Sequence, residues 1–282
     1  MTTVVQHAGV LGSPIAHSLS PILHSAGYAA CGLRDWRYGR REVTAGELSF
    51  VVGTLDDSWR GLSLTMPLKE AAFEVATTVS DVATRAGAIN TLTRRDDGGW
   101  DATNTDVAGI VEALRPHLRG PSQLPRATVV GAGATARSAL LALKALGCAD
   151  IIVRARRPEA AEEVTHWARE TLGIETTAAG PISGLGPGEQ LVVSTVPPAA
   201  SLLVATALSA TGRPGELDAP VLLDVVYADW PTPLAREAAR LGWTVVSGLD
   251  MLVHQAAAQF ELFTGVPAPV EAMMDAGRAA LA

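Results

Sequence analysis

Lysine is scarce in this sequence, and the scarcity gives meaning to one of the two. Of the 22 basic side chains in 282 residues, 20 are arginine and only Lys69 and Lys144 are lysine. Wherever charge alone suffices, the chain supplies a guanidinium, which stays protonated near neutral pH. An amine can release a proton and take it back, so a lysine suits proton transfer. Lys69 stands in Leu64-Thr65-Met66-Pro67-Leu68-Lys69, just past a β-type run, with Thr65 and Pro67 fixing the turn before it. Two readings remain open for it, a solvated surface lysine and a proton-transfer group.

Three further segments present polar groups at places where elements begin. Asp106, in Asn104-Thr105-Asp106, lies where a helix starts; the helix dipole favours a carboxylate there in any case, so its position leaves its function open. Gly12-Ser13-Pro14-Ile15-Ala16-His17-Ser18-Leu19-Ser20-Pro21 puts Ser18 and Ser20 at a strand-to-helix turn. Their hydroxyls serve either as helix caps, the simpler reading for each residue, or as partners of a polyhydroxylated ligand. His17 reads as a structural histidine, its spacing to His24 fits no metal motif, and no metal is expected. Gln255, on a helix among apolar residues, reads by itself as a surface glutamine.

The glycine loop Gly131-Ala132-Gly133-Ala134-Thr135-Ala136 follows a β run and opens a helix. In that setting G-x-G-x-x-A binds a dinucleotide: the first glycine permits the turn, the second admits the pyrophosphate to backbone N–H groups, and Ala136 lets helix and sheet pack closely. A tight βα turn without ligand is the plainer alternative. The next strand ends at Val153, where an NAD site usually places a carboxylate for the ribose 2′-OH; here the chain reads Arg154-Ala155-Arg156-Arg157. Guanidinium groups offer forked donors to a 2′-phosphate that a carboxylate would repel, so NADP is the implied cofactor.

The elements that must position these residues are of two textures. The first hundred residues alternate β-type runs (Val4–Leu11, Trp36–Arg40, Gly61–Leu64) with helices (Pro21–Cys31, Ala45–Leu55, Lys69–Ala76). A hairpin, Ala88–Thr93 and Gly99–Ala102, follows around Asp96-Asp97-Gly98-Gly99. Asn104 or Thr105 caps a helix to Leu118, stopped by Arg119-Gly120-Pro121, with a loop to Pro125. Beyond it βα units repeat: strands at Thr128–Val130, Ile151–Val153, Leu191–Ser194 and Val221–Val225, and helices at Ala134–Leu146, Pro158–Leu172, Ala200–Ser209 and Pro233–Leu241. Strands so separated predict a parallel sheet. Leu249–Phe263 and Val270–Leu281 are purely helical and are expected to fold back on the first domain.

Composition limits what such a molecule does. Hydrophobic residues at 48% and charged ones at 18% exclude disorder and predict a soluble α/β protein with a sizeable core. A net charge of −7 gives no electrostatic reason for a nucleic-acid or membrane partner, so any phosphate must be held locally. Leu191–Ala210, the most apolar stretch, is broken by Pro197-Pro198. Cys31 and Cys148 form no CxxC pattern, and no secretory signal is read at Met1–Val10; a cytoplasmic protein fits. There is no internal repeat.

Taken together, the segments resemble the shikimate dehydrogenase family: S-P-I-x-H-S-x-S-P, T-x-P-x-K, G-A-I-N-T, N-T-D, the glycine loop and G-x-x-M-L-x-x-Q occur in that order over nearly the whole chain. The resemblance implies an NADP-dependent enzyme that reversibly reduces 3-dehydroshikimate to shikimate, with a cleft between two domains. It implies a substrate-binding domain over 1–104, a Rossmann-like NADP domain over 105–248, and C-terminal helices at 249–282 returning to the substrate domain.

By the same resemblance, Lys69 and Asp106 are the catalytic pair. Ser18, Ser20, Thr65, Asn90, Asp106, Tyr227 and Gln255 hold the substrate. Gly131, Ala132, Gly133, Ala134, Thr135, Arg154, Arg156, Arg157 and Gly248 hold the cofactor. The chain departs from the family pattern at Ser63-Leu64-Thr65, often N-V-T, and at Arg154-Ala155-Arg156, often N-R-T. Motifs do not separate a shikimate enzyme from a quinate or aminoshikimate dehydrogenase. An NADP-responsive regulator without catalysis is the alternative of a different class, although it has no need of Lys69 and Asp106. A monomer and a homodimer are both compatible with the sequence.

Overall fold

Two six-stranded sheets carry the chain. The computed structural model describes residues 4–118, 126–180, 182, 185, 190–210 and 219–282, which divide into one unit of Met1–Gly109 with Leu252–Ala282 and a second of Ile110–Met251.

The first unit begins with β1 (Gln6–Gly12), α1 (Ser20–Ala30), β2 (Trp36–Glu42), α2 (Leu48–Gly53), β3 (Trp59–Leu64) and α3 (Leu68–Ala71). Then come β4 (Thr78–Val79), α4 (Asp81–Ala86), the hairpin β5 (Thr91–Arg94) and β6 (Trp100–Thr103), and α5 (Asp106–Leu114), whose first residues belong here. The sheet order is β2-β1-β3-β5-β6-β4. β1 is parallel to β2 and β3, whereas β5 is antiparallel to both β3 and β6. β3 lies inside the sheet, and its last four residues, Gly61–Leu64, are all buried, as a strand covered on both faces requires.

Leu62, Leu68, Ile89 and Leu92 pack in one core cluster, with Lys69 and Asn90 beside these anchors in the chain. A second cluster joins Val10, Tyr28 and Tyr38 to Phe260 and Phe263 of the C-terminal segment. Each phenylalanine buried there contributes about 1.5–3 kcal/mol.

The second unit contains the rest of α5, then β7 (Ala127–Val130), α6 (Ala134–Ala145), β8 (Ile151–Arg154), α7 (Pro158–Trp167), β9 (Thr176–Ala178), β10 (Leu191–Ser194), α8 (Pro198–Ser209), β11 (Val221–Asp224), α9 (Pro233–Leu241) and β12 (Thr244–Ser247). Every pairing in its sheet, ordered β12-β11-β10-β7-β8-β9, is parallel. Strand order reverses direction at β7, so the crevice beyond the carboxyl ends of β7 and β10 is the place where such sheets bind ligands. The glycine loop leaves β7 at that point. Two C-terminal helices close the chain, α10 (Gly248–Thr264) and α11 (Val270–Leu281), and Leu252–Ala282 belongs to the first unit.

Several boundaries differ from those read in the sequence. The helix expected at Ala45–Leu55 is a 3-10 turn at Ala45–Glu47, closed by a Thr44/Glu47 capping box, followed by the short α2. The helix expected to reach Leu118 ends at Leu114 because Pro116 has no N–H to continue it, and Arg115–His117 tightens to 3-10. The expected stop at Arg119-Gly120-Pro121, and the loop to Pro125, lie outside the described residues. β4, α4, β9 and β12 have no counterpart among the elements expected from the sequence. α4 is nevertheless punctuated in the usual way, with the Ser80 hydroxyl accepting from Ala83 N at its start and Gly87 at φ 60° at its end.

Candidate active site

Lys69 lies in the short α3, whose Leu68 anchor is fully buried, and Asp106 is the first residue of α5. Their side chains meet: Lys69 Nζ donates to Asp106 Oδ2 at 2.5 Å, with 17% and 5% of the two side chains exposed. An ion pair this sheltered keeps much of its attraction, yet the ammonium still reaches the surface. Asp106 is set in place by its neighbour, since its backbone N donates to Asn104 Oδ1 at 3.0 Å while Asn104 Nδ2 donates to Ala88 O at 2.9 Å. Asn104 thus performs the capping function expected at this helix start.

Asn90 organises the other side of the pair. Its Nδ2 donates to Asp106 Oδ1 at 2.8 Å and to Gln255 Oε1 at 2.9 Å, and lies 3.0 Å from Thr105 Oγ1. Its Oδ1 accepts from Thr105 N at 2.8 Å and from Thr91 Oγ1 at 2.7 Å. The carboxylate of Asp106 therefore has each oxygen engaged, one by the lysine and one by the asparagine.

Ser18 Oγ accepts from Ser20 N, the first N–H of α1, at 3.4 Å, although neither serine is the N-cap residue itself. Leu19 is the N-cap residue of α1 and makes no side-chain cap bond; Ser18 Oγ also reaches Ser20 Oγ at 3.3 Å. Nearby, the Tyr38 OH donates to Ser63 Oγ at 2.6 Å. Thr65 follows β3, its N donating to Leu11 O at 3.0 Å, and its methyl group fills the space over Gly12. Four of the expected polar residues, Lys69, Asp106, Asn90 and Gln255, thus belong to one hydrogen-bonded system in the first unit, while Ser18 and Ser20 bond to each other. His17 is exposed and stands outside it.

Members of this system absent from the expected site residues include Tyr38, Ser63, Thr91 and Gln259. Gln259 is 1% exposed and donates through Nε2 to Thr91 Oγ1 at 3.0 Å and to Asn90 O at 3.2 Å. Its Oε1 accepts from Ser63 Oγ at 2.7 Å. The available signal is its place four residues after Gln255, on the same helix face. Below it lies His24, fully buried and stacked on Tyr38 at 4.0 Å between ring centroids. Burial pushes its pKa down to about 3, against a smaller upward pull from Gln259. Burial also raises the hydroxyls of Tyr28 and Tyr38 above the ordinary tyrosine range.

Within the second unit, Gly131 adopts φ +121°, a conformation side chains avoid, and a Cβ there would overlap the Thr195 hydroxyl. Nothing lies within 4 Å of where a Cβ on Gly133 would stand. Gly133 caps α6, with Ala134 and Thr135 as the first helical residues, so its open face meets the positive end of a helix. That cradle fits a pyrophosphate.

Arg154 ends β8 with Nη1 3.4 Å from Gly180 O, while Arg156 and Arg157 are exposed and pair with no carboxylate among the described residues. Free guanidinium groups at this edge fit a 2′-phosphate. Tyr227 is partly buried in the segment after β11, which raises its hydroxyl pKa, and Gly248 N donates to Val226 O beside it at 3.3 Å.

Comparison with known proteins bears on both units. The family profile described as the shikimate dehydrogenase substrate binding domain matches residues 10–92, and that of the shikimate 5'-dehydrogenase C-terminal domain matches residues 248–276. The curated shikimate dehydrogenase (NADP(+)) of Synechococcus sp. (strain JA-3-3Ab) is 34% identical over 98% of this chain and 94% of its own length.

Two solved structures superpose on the fold. The shikimate dehydrogenase of Mycobacterium tuberculosis has a TM-score of 0.86 at 42% identity, covering 97% of this chain and 99% of that one. The Thermus thermophilus shikimate 5-dehydrogenase in complex with NADP(H) and shikimate has a TM-score of 0.79 at 32% identity, covering 98% and 100%.

Proposed function

The chain belongs to the shikimate dehydrogenase family, and from that premise we infer that it is an NADP-dependent oxidoreductase reversibly reducing 3-dehydroshikimate to shikimate. The observation that carries the inference is the Lys69–Asp106 pair at 2.5 Å, held among Asn90, Thr105 and Gln255. A polyhydroxylated acid needs many fixed donors and acceptors around one proton-transfer group, and this cluster supplies both.

In the reducing direction the Lys69 ammonium gives a proton to the carbonyl oxygen as it becomes a hydroxyl. In the oxidising direction the neutral amine takes that proton back. Asp106 orients the amine and stabilises its charged form, with both carboxylate oxygens already accepting hydrogen bonds. Ser18, Ser20, Thr65, Asn90, Tyr227 and Gln255 bind the carboxylate and hydroxyls of the substrate. Residues 1–104 with the helices of 249–282 form the substrate-binding part in this reading, and 105–248 the NADP-binding part.

Bound NADP(H) supplies and accepts the hydride. The loop Gly131, Ala132, Gly133, Ala134 and Thr135 would hold its pyrophosphate, Arg154, Arg156 and Arg157 its 2′-phosphate, and Gly248 the nicotinamide end. The open face of Gly133, and Arg156 and Arg157 without a carboxylate partner among the described residues, support this assignment. No helix among the described residues is long and apolar enough to cross a membrane. We place the enzyme in the cytoplasm, as a monomer or homodimer, a location in keeping with the free thiols of Cys31 and Cys148.

Initial rates with shikimate, quinate and an aminoshikimate, each against NADP and NAD, test the proposal. Shikimate with NADP should be the preferred pair. Preference for quinate or the amine would make the chain a sister enzyme, and nucleotide binding without turnover of any cyclohexene or cyclohexane acid would make it a regulator.

A further inference from the structure

The hydrogen bonds behind Asp106 run in one direction. Tyr38 OH donates to Ser63 Oγ at 2.6 Å, and Ser63 Oγ donates to Gln259 Oε1 at 2.7 Å. Gln259 Nε2 then donates to Thr91 Oγ1 at 3.0 Å, Thr91 Oγ1 to Asn90 Oδ1 at 2.7 Å, and Asn90 Nδ2 to Asp106 Oδ1 at 2.8 Å. Each hydroxyl in this chain has a single hydrogen, so one that accepts from a neighbour must give its own hydrogen elsewhere. Because Gln259 gives an N–H to Thr91, the Thr91 hydrogen goes to another partner, and Asn90 Oδ1 at 2.7 Å is nearer than Thr105 Oγ1 at 3.3 Å; the bond to Oδ1 holds the amide with Nδ2 facing the carboxylate. Gln259 also donates to Asn90 O at 3.2 Å, holding the same residue by its backbone.

We propose that Gln259 and Thr91 are positioning residues for the reaction: acting through Asn90, they fix the donor that orients Asp106 and, through it, the Lys69 amine. The proposal rests on the function inferred above. Neither residue needs to touch substrate for this, and both are buried, at 1% and 0% exposure. Thr105 also donates to Asn90 Oδ1, from N at 2.8 Å and from Oγ1 at 3.2 Å, so losing the Thr91 bond weakens the orientation of the amide without abolishing it. Neighbouring donors in such a network strengthen one another, which makes a distant member matter at its far end.

Thr91→Val keeps the shape of the side chain and removes the hydroxyl, whereas Thr91→Ser keeps the hydroxyl. Gln259→Met keeps length and removes both functions of the amide. Thr91→Val and Gln259→Met should each lower kcat about tenfold, the effect of one hydrogen bond lost from a buried network, while Thr91→Ser stays within about twofold of wild type. NADP affinity should not move. The acid limb of the kcat–pH profile should shift in Thr91→Val and not in Thr91→Ser, a readout that simple loss of packing does not produce. The double variant should be no slower than the slower single one, since both act along one path.

Wild-type kcat and pH profile in Thr91→Val would overturn the proposal, whatever becomes of Gln259→Met. A crystal structure of the Thr91→Val chain gives a readout independent of turnover. The proposal requires the Asn90 amide to rotate or the Lys69–Asp106 distance to depart from 2.5 Å. An unmoved Asn90 and pair refutes it even in an enzyme inactive on shikimate, an inactivity that would refute the function separately.

Discussion

Asn90 Nδ2 donates to Asp106 Oδ1 at 2.8 Å while Lys69 Nζ donates to Asp106 Oδ2 at 2.5 Å, so one carboxylate stands between two donors that come from different elements. The asparagine precedes a sheet strand, the aspartate opens a helix, and the lysine sits on a short helix after β3. The arrangement engages both oxygens of Asp106 and makes it an orienting charge.

That geometry sets an order among substitutions. On the proposed mechanism Lys69→Ala removes the proton-transfer group and should lower kcat for shikimate oxidation by about 10²–10⁴-fold, the usual worth of general acid–base catalysis. Asp106→Asn puts an N–H against one of two donors and should cost about 10²-fold or more. Asn90→Ala, which leaves the ion pair, should cost less than either. NADP titration should show unchanged affinity in all three. A Lys69→Ala enzyme with most of its kcat would remove the basis of the mechanism.

In the proposed assignment Arg156 and Arg157 are the arginines free to select NADP. Arg154 is partly buried against the Gly180 carbonyl, whereas the other two are exposed with no carboxylate partner among the described residues. Arg156→Ala and Arg157→Ala should each lower kcat/KM for NADP about tenfold through loss of a charge-assisted hydrogen bond, and leave kcat/KM for NAD within about twofold. Equal losses with both nucleotides would point instead to a role at the adenine or to folding of the loop.

His24 should make stability depend on pH. Its pKa lies at about 3 in the folded chain against 6.5 when exposed, chiefly because burial against Tyr38, Tyr28 and Phe260 disfavours the charged ring. Above pH 6.5 both states hold a neutral imidazole and the group gives no pH dependence. Between 6.5 and about 3 only the unfolded chain takes up the proton, so stability falls with pH at up to about 1.4 kcal/mol per unit. Urea unfolding at pH 7 and pH 5 should show this fall, and His24→Phe should shrink it by about 2 kcal/mol. An equal fall in both proteins would assign the effect to other groups.

How much of this is legible in the sequence follows from the range of each interaction. The βα units at Thr128–Val130 and beyond announce themselves through short apolar runs and helix-start signals, which are local. β4 has two residues and β9 three, too few to show any period, and their pairing with β6 and β8 is what makes them strands. Lys69 stands out by composition, and Asp106 by a motif that its helix-start position equally explains. Their meeting is a product of the fold.

Gln259 is unreadable for the same reason: its partners Ser63 and Thr91 lie 196 and 168 residues away in the chain. The serine turn reads as capping, and Ser18 does accept from the first N–H of α1, while the N-cap position itself falls on Leu19, which offers no hydroxyl.

Gly61 and Phe263 test whether the C-terminal helices are structurally coupled to the first sheet. A Cβ on Gly61 would overlap the Phe263 ring, which is 4% exposed, and Gly61 faces it from β3, the strand that ends just before Thr65. Gly61→Ala should therefore destabilise by about 1–3 kcal/mol through overpacking, despite being the smallest possible change. Phe263→Ala should cost about 3–5 kcal/mol by leaving a cavity. In the double variant the alanine methyl enters space that the ring has vacated, so the two losses should fall short of their sum by about 1 kcal/mol or more. Chemical denaturation of the four proteins gives the coupling. Simple additivity would mean that the ring and the glycine do not share this space in solution, and α10 would then need another anchor to keep Gln255 and Gln259 against Asn90.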